Sequence, residues 1–150
     1  MTVLEVAPTA RGDAVLLVDG EGTVVVPIFV GGTEALSIKL RLDKQKYQRP
    51  LTHDLLDTLL ARLGGDLVKV HVDDIKGNIF VGTVFVRQRS DGKTIDVDAR
   101  PSDAIALAVG NQVPIFVAKR VIEASGVRKK DVMGGEGVPL PGKPPEPMAL

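Results

Sequence analysis

Two short stretches carry reactive residue types at a spacing that needs explaining: "RPLTHDLL" at 49–56 and "DARPSDAIALA" at 98–108. Each sets an Arg-Pro pair ahead of a hydroxyl residue, an aspartate and an apolar run. Proline suits the first turn of a helix, because the amide it lacks would have no intrahelical partner there. Thr52 and Ser102 are placed to act as N-caps. Asp54 and Asp103 then fall where the helix dipole favours negative charge. Helix-start chemistry explains these residues but not Arg49 and Arg100. A cation beside the positive end of a helix dipole needs an anion. That anion is either internal, with Asp98 or Asp103 pairing with Arg100, or external. Free helix amides plus a guanidinium make a phosphate receptor, so Arg49, Thr52, Arg100 and Ser102 are candidate phosphate contacts.

His53 adds a proton-transfer group. At a helix N-terminus an imidazole tends to stay neutral, able to serve as general base or metal ligand. The alternative is a first-turn residue bonding a neighbouring carboxylate. His71 lies on the polar side of a strand and reads as surface. Asp96 and Asp98 share one strand face, and Asp103 follows on the next helix. With Glu34 near a glycine-rich helix start, Asp98 and Asp103 are candidate oxygen ligands for Mg²⁺ or Mn²⁺. The spacing matches no closed all-protein cage, and a charged strand face also simply meets water. The basic run "KLRLDKQKYQR" at 39–49 can track a phosphate backbone or form a solvated loop.

The elements that must position these groups follow from periodicity. Strands are expected at "VLEV", "DAVLLVD" and "TVVVPIFV", with Pro27 marking an edge or a bulge. A helix is expected over "GGTEALSIKLRL". A clearer one covers "RPLTHDLLDTLLARLGG", where Leu55, Leu56, Leu59, Leu60 and Leu63 recur at helical spacing before Gly64 and Gly65. Three strands follow, the last placing Ile95 and Val97 inward. Then come the "PSDAIALA" helix, a "VPIFV" strand and a closing helix ending at Gly126. The reading is a single α+β domain of mixed sheet with about four helices over residues 1–132. "PIFV" at 27–30 and 114–117, with the paired Arg-Pro starts, hints at a duplicated strand-and-helix unit. From Met133 onward proline and glycine dominate, and residues 133–150 read as a disordered tail.

Composition bounds the function. The chain has 150 residues, a formal net charge of zero and no cysteine. That excludes a disulfide framework and cysteine-ligated zinc or iron–sulfur centres. No apolar stretch approaches the ~18 residues of a membrane span. The first residues lack an apolar signal core, so the cytoplasm is the expected compartment. Aromatic residues make up 3%, which disfavours extensive base stacking.

Taken together, "RPLTHDLL", "DARPSDAIALA", the following "PIFV" and the "GGTEA" at 31–35 resemble the bifunctional nuclease domain family over roughly Met1 to Gly126. The resemblance implies a compact, often dimeric α+β domain that degrades both RNA and DNA. The family-typical positions present here are Glu34, Arg49, Pro50, Thr52, His53, Asp54, Asp98, Arg100, Pro101, Ser102 and Asp103. One departure is visible. After "AIALAV" the family commonly carries a basic residue, and this chain has Gly110.

The expected activity is phosphodiester hydrolysis with broad specificity. His53, Asp54, Asp98 and Asp103 are the candidate catalytic groups. Two alternatives remain at this point. One is a non-catalytic nucleic-acid-binding or protein-binding module, in which the cluster is a buried ion-pair network. Another is a site for a small phosphorylated ligand. A shared nuclease site requires the two motifs to converge in space.

Overall fold

The computed structural model describes residues 1–77 and 79–133. The Pro/Gly-rich stretch lies outside them, apart from Met133. Strands β1 (Thr2–Thr9), β2 (Gly12–Val18) and β3 (Val24–Val30) form an antiparallel meander. Helices α1 (Gly32–Leu42) and α2 (Thr52–Arg62) follow. Next come β4 (Gly65–Lys76), β5 (Ile79–Gln88), β6 (Thr94–Ala99), α3 (Pro101–Asn111), β7 (Ile115–Val117), α4 (Lys119–Ser125), β8 (Val127–Arg128) and α5 (Lys129–Met133). The strands make two four-stranded sheets, ordered β1-β2-β3-β8 and β6-β5-β4-β7. The first is antiparallel. The second is mixed, because β7 joins β4 in parallel. This is an α+β domain, with a short fifth helix beyond the four expected.

Both sheets share one core with α1 and α3. Val15, Leu17, Val26 and Ile28 from the first sheet meet Ile38, Ile105 and Val70, Val72, Val84 and Val86 from the second. Helix α3 is the pivot. Its small residues Ala104, Ala106 and Ala108 are buried, so its backbone can lie close to neighbouring elements. Gly82 on β5 serves the same purpose. A side chain there would crowd the Ala99 carbonyl, the His71 carbonyl and the Pro101 α-carbon. The start of α3 is thereby held against the sheet.

Pro27 sits opposite Leu16 without a register shift, and β8 pairs only with Val24 and Val25. Its missing amide therefore falls where the edge of β3 is open, and there is no bulge. The two "PIFV" copies each run from strand to helix. One pairs antiparallel with β2 and the other forms a three-residue parallel edge on β4, so the local likeness does not extend to equivalent units.

Two local expectations are corrected, and one helix packs by its polar side. Helix α2 buries His53 and, Leu60 apart, turns its leucines outward: Leu55 is 54% exposed and Leu63, at the C-cap, 84%. Leu56 and Leu59 are also exposed. The helical period was right, but the polar side of this helix is the one that packs, because His53, Asp54 and Asp57 bond to α1 and α3. The two helix starts also differ. The N-caps are Leu51 and Arg100, not Thr52 and Ser102. Asp54 reaches back to the Leu51 amide at 3.0 Å, which fixes the start after Pro50 and leaves that proline outside the helix. Finally, Ile95 and Val97 are exposed, because β6 is an edge strand with little over it.

Candidate active site

The side chains of α1 that face the site follow helical spacing: Glu34, Ser37 and Arg41 stand at i, i+3 and i+7 on one face. Helix α2 brings His53, Asp54 and Asp57 against them, and α3 brings Arg100 and Asp103. His53, 5% exposed, lies between two partners. Its Nδ1 is 2.7 Å from Ser37 Oγ, and its Nε2 is 2.9 Å from Asp103 Oδ1. Asp103 accepts a further hydrogen bond from Arg100 Nε at 2.9 Å. Arg100 Nη2 donates to Glu34 Oε2 at 2.9 Å. One continuous polar chain thus runs Ser37–His53–Asp103–Arg100–Glu34.

The two sequence motifs, 50 residues apart at His53 and Asp103, converge. They do so on a cavity of about 700 Å³ lined by Glu34, Ser37, Thr52, His53, Asp98, Arg100 and Asp103. Leu56, Leu60, Val84, Val86 and Val97 supply its apolar walls. Arg100 is half-exposed there. Burial pulls its pKa down, but the hydrogen bonds and charges of Asp103 and Glu34 outweigh that and hold it above the ordinary guanidinium value. It stays a cation at neutral pH.

A second network lies behind the first. Arg41, 9% exposed, donates from Nε to the Ala106 carbonyl at 2.7 Å and pairs with Asp54 and Asp57. Asp54 also accepts the Leu51 amide. It therefore holds α2 to α1 and does not line the cavity. The buried arginine–carboxylate staple expected of Arg49 or Arg100 exists, and Arg41 provides it.

The remaining predicted residues divide clearly. Thr52 and Asp98 line the cavity, and Asp98 has no hydrogen-bond or ion-pair partner among the described residues. Arg49 is exposed, has no such partner among the described residues, and lies off the cavity wall. Ser102 is fully buried away from the cavity, and its Oγ has no hydrogen-bond partner among the described residues. His71 is on the opposite face of the second sheet, against Phe85 and Phe116.

Among the described residues, no three His, Asp or Glu side chains come together with a geometry that would hold a metal ion. Glu34 and Asp103 are bridged by the Arg100 guanidinium, so a divalent cation would compete with it. The arrangement as it stands does not fit an all-protein Mg²⁺ or Mn²⁺ centre. No helix among the described residues is long and apolar enough to cross a membrane.

Sequence reading missed Ser37 and Arg41. Both were legible in principle as the polar stripe Glu34–Ser37–Arg41 at helical spacing along α1. The structural role of Arg41 was hidden in a basic run read as either a phosphate-tracking or a solvated segment.

An α+β domain with an Arg-, His- and Asp-lined cavity between helix starts is the class defined so far. The sequence profile of the bifunctional nuclease domain matches residues 15–130, and the chain belongs to that family. An uncharacterized protein of Mycobacterium tuberculosis (strain ATCC 25618 / H37Rv) is 37% identical over 113 residues, 75% of this chain and 65% of that protein. Bifunctional nuclease 1 of Oryza sativa subsp. japonica is 24% identical over 128 residues, 84% of this chain and 39% of the plant protein. The chain thus spans about two thirds of the mycobacterial relative and well under half of the plant one.

Proposed function

We propose that this domain hydrolyses phosphodiester bonds in both RNA and DNA. The observation that carries the reading is the His53–Asp103 contact, which merges the two motifs into one cavity with a permanently charged, half-exposed arginine at its side. Arg100 is suited to hold the phosphate and to offset the charge that grows on its oxygens in the transition state. Thr52 is placed to contact the same group, and the exposed Arg49 to guide the strand by charge. Asp103 orients His53, which moves protons. Asp98 is positioned to hold an attacking water. No step needs a metal ligated by these residues. The cytoplasm remains the expected compartment.

The rival reading, a purely structural ion-pair network, required both arginines to be buried and no cavity to adjoin them. Arg100 is paired with Asp103 and Glu34 but stands half-exposed on the cavity, Arg49 is exposed, and the buried pairing belongs to Arg41. We further infer that two copies associate through the outward leucines of α2, which are a costly surface for a monomer to leave in water.

The test is cleavage of single-stranded RNA and DNA by purified wild-type protein and Arg100→Gln, each with and without EDTA. Both substrates should be cut by the wild type. The variant should be at least about 100-fold slower, in line with loss of one oxyanion donor. Equal trace activity in wild type and variant would mark a contaminant and end the nuclease reading. Loss of activity in EDTA alone would return a divalent cation to the site.

A further inference from the structure

The bonding of His53 restricts what it can do. The Asp103 carboxylate, which also accepts from Arg100, can only accept, so the Nε2 facing it carries the proton. Neutral His53 then has its lone pair on Nδ1, and Ser37 Oγ–H is the donor at 2.7 Å. Both ring nitrogens are occupied and the residue is 5% exposed. The one proton His53 is positioned to accept is that of Ser37. Ser37 itself is 4% exposed, yet it lines the cavity on the same helix face as Glu34. A hydroxyl bonded to a base, whose far side is oriented by a carboxylate, is the arrangement that activates a serine nucleophile.

We propose that Ser37 is the nucleophile of this site and forms a covalent phosphoserine diester with the cleaved strand. The proposal rests on the nuclease reading and deepens it. Ser37 Oγ attacks phosphorus and its proton passes to His53 Nδ1. The bond from phosphorus to the leaving sugar oxygen breaks, and that oxygen takes the proton from His53. Water then attacks the same phosphorus and gives its proton to His53. The bond from phosphorus to Ser37 Oγ breaks, and the serine regains its proton. The net reaction is hydrolysis. Asp103 stabilises the imidazolium formed in each half, and Arg100 faces the phosphate oxygens. The ring nitrogens are exchanged relative to the usual serine triad, in which Nε2 faces the serine; the logic of proton transfer is the same. A nucleophile supplied by the protein needs no ribose 2′-hydroxyl, so one site would treat RNA and DNA alike.

The experiment mixes the full chain with a single-stranded oligonucleotide, RNA or DNA, and quenches the reaction in acid at intervals. Peptide mass spectrometry then looks for a nucleotide adduct. Wild type, Ser37→Ala and Ser37→Cys are compared, with circular dichroism to establish folding. Wild type should show an adduct on Ser37 that rises before product. Ser37→Ala should lose at least about 100-fold in rate on both substrates. Ser37→Cys should retain a slow reaction with the adduct moved to sulfur. A wild type that cleaves while folded Ser37→Ala keeps its rate would overturn Ser37 as nucleophile and leave the nuclease reading standing. If the wild type cleaves neither substrate, the nuclease reading fails. Serine activation is then decided by an alkyl fluorophosphonate: labelling of Ser37 that His53→Ala abolishes upholds it, and no labelling refutes it. If Ser37→Ala does not fold, the wild-type adduct alone decides.

Discussion

The guanidinium of Arg41 lies directly over Gly110, where any side chain would occupy the same space. The family pattern leads one to expect a basic residue at this place in α3, and the chain has glycine. The structure explains how it is tolerated. The cation comes from α1 instead, and the missing side chain is the space it fills. Gly110→Ala should therefore be destabilising by about 1–3 kcal/mol through overpacking, although alanine in an exposed helix position ordinarily gains up to about 1 kcal/mol over glycine. In an Arg41→Ala background the same change should become stabilising. Urea unfolding of the four proteins checks this, and a gain in both backgrounds would show that the contact does not matter.

Ser102 gives the opposite kind of prediction. Its hydroxyl is fully buried with no partner among the described residues. A buried, unpaired hydroxyl costs about 1–3 kcal/mol. Ser102→Ala should thus leave stability unchanged or raise it by about 1 kcal/mol. A loss greater than about 1 kcal/mol in thermal or urea unfolding would mean that the hydroxyl has a partner after all.

How much of this was legible in advance depends on what each inference rested on. Elements set by local period emerged well: β2, β3, α1, α2 and the Ala-rich α3 follow from apolar spacing and glycine stops. The convergence of "RPLTHD" with "RPSD" was a requirement that only three-dimensional packing could meet, and His53 and Asp103 meet it. The facing of Ile95 and Val97 was misread, and in α2 polar bonding outweighed hydrophobicity. The leucines of α2 lost the core to His53, Asp54 and Asp57, because those three find partners on α1 and α3. Likewise Asp54 and Asp103 looked equivalent in sequence. One is held by Arg41 and the Leu51 amide, the other by His53 and Arg100.

Acid should weaken the turn between β2 and β3. The Asp19 carboxylate accepts the Val24 amide at 3.1 Å and the Thr23 amide at 2.8 Å. Those bonds, led by Val24, hold its pKa below the ordinary 3.8. A depressed folded pKa means its contribution is complete above the unfolded value and is lost as pH falls through the folded one. Asp19→Asn should be less stable than wild type at neutral pH, and the gap should close below about pH 4. A gap that stays constant from neutral to acid in thermal unfolding would contradict the assignment.

The exposed leucines of α2 predict an assembly. Leu59→Glu with Leu63→Glu should alter monomer stability by no more than about 0.5 kcal/mol, as surface changes do. The same pair should halve the mass seen by light scattering. A wild type that is monomeric at all concentrations would refute the dimer.

The central claim is that the two motifs act as one unit through His53 and Asp103. A double-mutant cycle on cleavage rate tests it most directly, using wild type, His53→Ala, Asp103→Asn and the double variant, all shown to be folded. Residues that act together are strongly non-additive. The account predicts that the double variant is no slower than the worse single variant. Rate losses that multiply would mean His53 and Asp103 work independently, and the shared site would be refuted.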